Sequence, residues 1–298
     1  MKKRSIYGYL FITPFFLVFV SLQIYPILKT FYYTFTNYKG YGEETWIGLA
    51  NWKAVITDKF FWQAFVKTWK IWGVNIVVQL GLALLLVMIF SDITWKIKGL
   101  GFFRTIFYLP NLITLASVAM LFTILLDWKY GSLNQILLKL NIIDTEINYL
   151  VSEFYSQLSV SLIQAWMWFG NSFLFLMAGV TGISRDYFEA AKVDGANRLQ
   201  MFSKVTIPLL KPILLYVAIT SLIGGMQIFE LPYLLTNGIG APNGSLSTLV
   251  LYMFNKAFEY KQFGYGGTVA YMIFFITVFF SIIAFKWMYG GESAKGDA

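Results

Sequence analysis

Six stretches of this chain carry no Asp, Glu, Lys or Arg and are long enough to cross a bilayer. They run from about Ile6 to Leu28, Ile71 to Phe90, Thr105 to Leu126, Phe154 to Ile183, Pro212 to Phe229 and Gln262 to Phe285. Spanning ~30 Å of hydrocarbon takes ~20 helical residues at ~1.5 Å each. The fifth stretch is short, bounded by Pro212 and Glu230, and the fourth is longer than a span needs, which predicts an irregular entry before about Ser159. Hydrophobic residues at 58% and charged ones at 13% cannot describe a soluble domain around one core. The expected fold class is all-α, a polytopic membrane protein of six transmembrane helices.

Basic residues in the connections set the orientation, because Lys and Arg accumulate on the cytoplasmic side. With the N-terminus inside, that side collects Lys2, Lys3, Arg4, Lys96, Lys98, Arg104, Arg185, Lys192, Arg198, Lys204, Lys211, Lys286 and Lys295, including all four Arg of the chain. These 13 basic residues face six acidic ones there, whereas the other side holds ten Lys against nine acidic residues. Both termini are therefore expected in the cytoplasm. The first apolar run is too long for a cleavable leader and no small-residue cleavage pattern follows it, so it reads as a retained span. The expected organisation is a first helix with its external segment over 1–70, a five-helix core over 71–289 and a cytoplasmic tail over 290–298.

The same residues exclude several function classes. The net charge of +8 is distributed by topology, which argues against nucleic acid as a partner. The chain has no Cys and no His, which removes thiolate and imidazole metal sites, the Ser-His-Asp and Cys-His nucleophile systems and a histidine proton relay. Its carboxylates lie in loops or at span edges, without a facing pair in the membrane. No phosphate-binding glycine loop is followed by Lys-Ser or Lys-Thr, so ATP hydrolysis is not expected in this chain.

Residues 189–208 form the longest strongly polar break between apolar runs. Ser184 is suited to cap a short helix over about Arg185–Val193, with Asp186 and Glu189 near its positive end. Asp194-Gly195 ends that helix, since Gly takes the left-handed conformation without penalty. Asn197 with Gln200 three positions on predicts a capping box for a second helix, and Ile207-Pro208 leads into the next span. Tyr187, Ala190, Ala191 and Asp194 share one face of the first helix. On the residues alone this loop is either an amphipathic connector resting on headgroups or a face that seats in a partner's groove.

Glu189-Ala-Ala, Asp194-Gly195-Ala196, Phe202, Ile207-Pro208-Leu-Leu and Pro212 resemble the cytoplasmic signature loop of permease subunits in bacterial binding-protein-dependent ABC importers. The resemblance covers almost the whole chain: Pro14, Tyr25-Pro26, Trp46 to Trp52, Phe102-Phe-Arg104, Leu109-Pro-Asn111, Asp127 to Leu133, Gln227 to Tyr233 and Phe263-Gly-Tyr265. It is similar to the carbohydrate branch, of the maltose, glycerol-3-phosphate and multiple-sugar type. The resemblance implies the type I importer permease fold and a location in the bacterial cell membrane. It also implies a second homologous permease, two cytoplasmic ATPase subunits that bind ATP and Mg, and an external solute-binding protein, with no cofactor in this chain. The loop 184–211 would couple to the ATPase through Glu189, Ala190, Ala191, Asp194, Gly195 and Ala196: Glu189 as a polar contact, Gly195 as the turn, the alanines for close approach. Asn197 stands where Ser is frequent, and Asn caps a helix as well as Ser does.

A sugar path needs hydroxyl-bonding groups beside flat apolar faces. Gln164, Trp166, Trp168 and Asn171 in the fourth span, and Gln227, Phe229, Glu230 and Tyr233 at the end of the fifth, meet that description. Each has a plainer reading, because aromatics crowd membrane interfaces, lone amides bridge helices and Glu230 is a natural boundary residue. Gly224-Gly225 suggests a bend or close helix packing. Turn signals at Asn237-Gly238, Gly240-Ala-Pro242 and Asn243-Gly244 make the connection 230–261 the candidate docking surface for the solute-binding protein, to which Lys53, Asp58 and Lys59 can add. Other polar solutes such as glycerophosphodiesters stay open as cargo. An ion-coupled secondary transporter is disfavoured by its uncharged spans and by the lack of an internal repeat.

Overall fold

Backbone polar groups inside hydrocarbon have no water to bond, so an apolar stretch of this length closes its hydrogen bonds on itself as helix. In the computed structural model, which describes residues 6–91 and 99–289, every predicted span is built mainly from helix. In chain order the helices are α1 (Ile6–Phe19), α2 (Tyr25–Tyr33), α3 (Ala50–Thr57), α4 (Lys59–Phe90), α5 (Leu100–Leu112), α6 (Leu115–Leu125), α7 (Ser132–Lys139) and α8 (Glu153–Thr181). They continue as α9 (Arg185–Val193), α10 (Arg198–Met201), α11 (Ile207–Leu209), α12 (Lys211–Met226), α13 (Glu230–Thr236), α14 (Leu249–Phe254) and α15 (Phe263–Tyr289). Wider π-helical turns at Val20–Ile24, Phe202–Thr206 and Asn255–Glu259 carry the chain between α1 and α2, α10 and α11, and beyond α14. The basic residues Lys2, Lys3, Arg4, Lys96, Lys98 and Lys295 and the tail 290–298 lie outside the described residues.

Five helices are long and apolar enough to span: Tyr7–Tyr33, Lys59–Phe90, Glu153–Thr181, Lys211–Thr236 and Phe263–Met288. The third predicted span, Thr105 to Leu126, is not one rod. It is the pair α5 and α6, bent by 88°. Pro110 sits in the last turn of α5, Ile113 is extended, and Thr114 restarts the helix by accepting a hydrogen bond from the Ser117 N–H at 3.3 Å. The fourth span also differs from expectation, because α8 is regular from Glu153 and has no irregular entry before Ser159. Its early serines stay compatible with helix: Ser161 Oγ donates to the Gln157 carbonyl at 2.7 Å one turn back. Two helices outrun their charge-free stretches. The first continues to Tyr33, and α4 starts at Lys59, twelve residues before Ile71, because Lys59, Lys67 and Lys70 are strong helix formers at a membrane edge.

Contacts divide the chain into two units, one of 1–62 with 252–275, the other of 63–251 with 276–298. In the first unit, the segment after α2 folds back through an isolated bridge between Thr36 and Trp46. The Asn51 amide donates to the carbonyls of Thr34 and Thr36 at 3.0 and 2.8 Å, while Lys29 pairs with Glu44 at 3.0 Å. Gly264 has to be glycine, because a Cβ there would sit 2.2 Å from the Thr36 carbonyl oxygen.

In the second unit α8 is the central helix. Val160, Ile163 and Met167 join Val118 and Leu231 in one buried cluster, and Phe173, Leu176 and Met177 join Ala83, Val87 and Val217 in another. Where α5 crosses α8 the backbones touch: a Cβ on Gly170 would lie 1.8 Å from the Phe107 carbonyl oxygen. A buried polar seam links three helices. Gln79 donates to Ser172 Oγ at 2.7 Å and accepts from Ser221 Oγ at 3.4 Å, and the Trp72 indole donates to Ser221 Oγ at 3.3 Å.

Candidate functional site

The polar loop after α8 is built by capping at every change of direction. Ser184 Oγ accepts from the Asp186 N–H at 3.3 Å and opens α9. The helix ends in a Schellman motif. Gly195 N–H bonds the Lys192 carbonyl at 3.1 Å, Ala196 N–H bonds the Ala191 carbonyl at 2.9 Å, and Gly195 takes φ +77°. The capping box at α10 is complete, with Asn197 Oδ1 accepting from Gln200 N–H and Gln200 Oε1 from Asn197 N–H, each at 2.9 Å.

The burial of α9 fixes which face is offered. Phe188 is only 6% exposed and anchors the helix, while Tyr187, Glu189, Ala190 and Asp194 are exposed and Ala191 and Ala196 are half-buried. A Cβ added at Gly195 would meet nothing within 4 Å. The space over the turn is open, and its requirement for glycine is purely one of backbone conformation.

A second feature runs along α8 and α12. Trp168, Asn171 and Phe175 follow at helical spacing, with Trp168 43% and Phe175 41% exposed, on a helix that is otherwise largely buried. On α12, Tyr216, Thr220, Ile223 and Gln227 make the matching exposed stripe. The two stripes meet where the rings of Phe175 and Tyr216 lie edge-to-face, 5.2 Å between centroids. The result is an open strip of aromatic faces interrupted by amides and a hydroxyl. Gln164 continues the α8 stripe but is only 7% exposed, enclosed among the helices. Beyond the break at Gln227, Phe229 is half-buried against Tyr233 at 5.2 Å, and Glu230 is exposed in the first turn of α13.

The connection after α13 is pinned at many points. Lys67 Nζ donates to the Gly244 carbonyl at 2.7 Å, the Gln157 amide to the Ser245 carbonyl at 3.0 Å, and Ser156 and Ser245 hydroxyls lie 2.9 Å apart. Thr236 Oγ1 accepts from the Gly240 N–H at 2.9 Å. Left-handed backbone at Asn237, Gly238, Gly240, Asn243 and Gly244 matches the turn residues found there.

The family model for the binding-protein-dependent transport system inner membrane component matches residues 3–289. The chain belongs to this family. Among relatives of these permeases, the probable ABC transporter permease protein YesP of Bacillus subtilis is 32% identical over 292 residues, covering 96% of this chain and 91% of its own. The lactose transport system permease protein LacF of Rhizobium radiobacter is 32% identical over 286 residues, covering 95% and 94%. In fold, the chain matches a bacterial ABC transporter involved in the import of the acidic polysaccharide alginate, with a TM-score of 0.81, 19% identity and 96% of each chain covered. The same likeness holds, at a TM-score of 0.79, 19% identity and 95% and 93% coverage, for the alginate transporter solved in complex with an alginate pentasaccharide-bound periplasmic protein. This is a multi-pass membrane permease of the ABC type.

Some of its polar chemistry escapes sequence reading. Asp58, expected with Lys53 and Lys59 to add to a docking surface, is turned inward. It accepts hydrogen bonds from the hydroxyls of Tyr252 and Tyr265, the latter at 2.6 Å, and from the Phe60 N–H at 2.8 Å. Lys256 stands over the rings of Tyr252, Tyr260 and Tyr265 at 5.4, 5.7 and 5.2 Å. Burial would raise the Asp58 carboxyl, but the two hydroxyls, the N–H and the Lys256 charge outweigh it and hold the group below its ordinary value. Burial and the bond to Asp58 push the Tyr252 hydroxyl well above its own. The seam through Gln79 was missed as well. Its signal was available, since Trp72, Asn75 and Gln79 fall on one helical face and Asn75 and Gln79 are each 5% exposed. Gly225 serves close packing, because a Cβ there would lie 2.0 Å from the Trp72 ring.

Proposed function

We propose that this permease is the membrane-spanning subunit of an ATP-driven importer for a sugar or oligosaccharide delivered by an external solute-binding protein. The observation that carries the reading is the loop 184–211. Its caps hold α9 rigid and present Glu189, Ala190 and Asp194 outward while Phe188 anchors the helix. In this proposal the loop lies in the cytoplasm, as the basic residues of the connections direct. Glu189 makes a polar contact with an ATPase subunit, Ala190 and Ala191 let it approach, and Asp194-Gly195-Ala196 set the angle to α10.

A second homologous permease and two ATPase subunits complete the complex, and those ATPases bind ATP and Mg. Closure of the ATPases then moves the docked loops as levers, and the spans reorient around a central path. The strip of Trp168, Asn171, Phe175, Tyr216 and Gln227 is suited to line that path, offering ring faces to a pyranose and amides to its hydroxyls. A carbohydrate cargo is supported by the lactose and alginate systems of its relatives and neighbours. The pinned connection 237–248, on the opposite side, is the proposed seat of the binding protein.

The test is uptake by the reconstituted full complex. Labelled oligosaccharide should accumulate in proteoliposomes only with ATP on the loop side and the loaded binding protein on the other. Accumulation driven by an ion gradient without ATP would refute the reading.

A further inference from the structure

Two of the elements next to the loop 184–211, α8 and α12, are joined to it by the chain itself. A third, α4, is not, and the only side chain reaching its end from α10 in the described hydrogen bonds is Arg198. Its Nη2 donates to the carbonyls of Met88 and Ile89 at 3.2 and 2.9 Å, over separations of 110 and 109 residues. Those carbonyls belong to the last turn of α4, which ends at Phe90, the part of a helix whose acceptors look for donors outside it. A cation there also meets the negative end of the helix dipole. The contact has apolar backing, because Phe90 and Phe202 pack on the buried cluster that includes Val87 and Leu210. A cavity of about 150 Å³ lies beside it, lined by Met88, Ser91, Phe188, Lys192 and Arg198 among others.

We infer that Arg198 is a positioning residue for coupling: it fastens the loop to the end of α4, so that displacement of the loop moves α4 together with α8 and α12. This rests on the reading of the loop as the ATPase dock. The assignment has a structural rationale further along α4, where Gln79 bonds Ser172 of α8 and Ser221 of α12. A pull on one end of α4 is thereby delivered to the seam that joins the three helices. Both bonds leave one nitrogen, and a guanidinium suits the task because the two N–H groups of Nη2 are held in its rigid plane, whereas an ammonium on a flexible stem has no such fixed geometry.

The experiment uses the complete importer, with partner permease, ATPases and binding protein, in nanodiscs and proteoliposomes. This chain has no Cys, so with partners prepared free of reactive cysteine, spin labels at Ser91→Cys and Lys192→Cys are the only reporters. The distance between them is expected to stay constant within about 2 Å between the nucleotide-free and vanadate-trapped states, as for two elements moving as one body. In R198M that distance should differ between states, and solute transported per ATP hydrolysed should fall about tenfold, with R198K intermediate. A label distance that changes between states in the parent chain overturns the inference, whatever the Arg198 variants do. So does R198M with an unchanged transport-to-hydrolysis ratio. Glu189→Ala separates the two levels. If it uncouples transport and R198M does not, only the role of Arg198 fails; if neither does, the docking reading of the loop fails as well.

Discussion

Burial alone would raise the Asp58 carboxyl, yet two tyrosine hydroxyls, a backbone N–H and the Lys256 charge hold it below its ordinary value, so this carboxylate serves structure within its own unit. Its depressed value sets a sign. The stabilisation is fully present above the ordinary carboxylate value of 3.8 and is lost as pH falls through the lower folded value. Thermal stability of the purified protein should therefore drop on acidification below about pH 4. Asp58→Asn should be less stable at neutral pH by about 1–3 kcal/mol and should lack that component of the acid-linked loss. A variant as stable and as acid-sensitive as the parent would show that the carboxylate contributes nothing. The cluster could not be read in the sequence, because Asp58 is 194 residues from Tyr252 and 207 from Tyr265, and no local periodicity reports such a pairing. Gly195 is the opposite case. Its left-handed φ, the Ser184 cap and the Asn197–Gln200 box are all local, and local chemistry is what a sequence states directly.

At the scale of elements, hydropathy located the spans but not their shape. Thr105 to Leu126 is uniformly apolar, so the pattern suggested one helix, whereas Pro110 and the capping Thr114 divide it at an 88° bend. The start of α4 was misplaced for a related reason, since a charge marks the edge of an apolar run and not the end of a helix. The strip across α8 and α12 was half legible. Amides beside aromatics pointed to Asn171, Trp168 and Gln227, but Phe175, Tyr216 and Thr220 join them only through the packing of two helices. Because Asn171 is half-buried and Gln227 exposed, Asn171→Leu and Gln227→Leu should assemble normally in the membrane. If the strip lines the path, each lost hydrogen bond to a solute hydroxyl should lower uptake roughly 2- to 12-fold at subsaturating solute. Parent-like uptake kinetics in both would assign these side chains to lipid or to neighbouring helices.

For the molecule as a whole, the proposed role of the loop 184–211 is to transmit force from partner ATPases to the spans. Gly195 allows a clean test, because its environment separates folding from docking. Any side chain there holds a non-glycine residue at φ +77°, at a cost of about 1–2 kcal/mol, while a Cβ would meet nothing within 4 Å among the described residues and the position is exposed. Gly195→Ala and Gly195→Trp should therefore lose similar stability and reach similar levels in the membrane. The most direct measurement is solute uptake and solute-stimulated ATP hydrolysis by complexes reconstituted with each variant. Gly195→Trp should lose at least about tenfold more of both than Gly195→Ala, because only the indole intrudes between the loop and its ATPase. Equal activity of the two variants, at equal membrane levels, would contradict it.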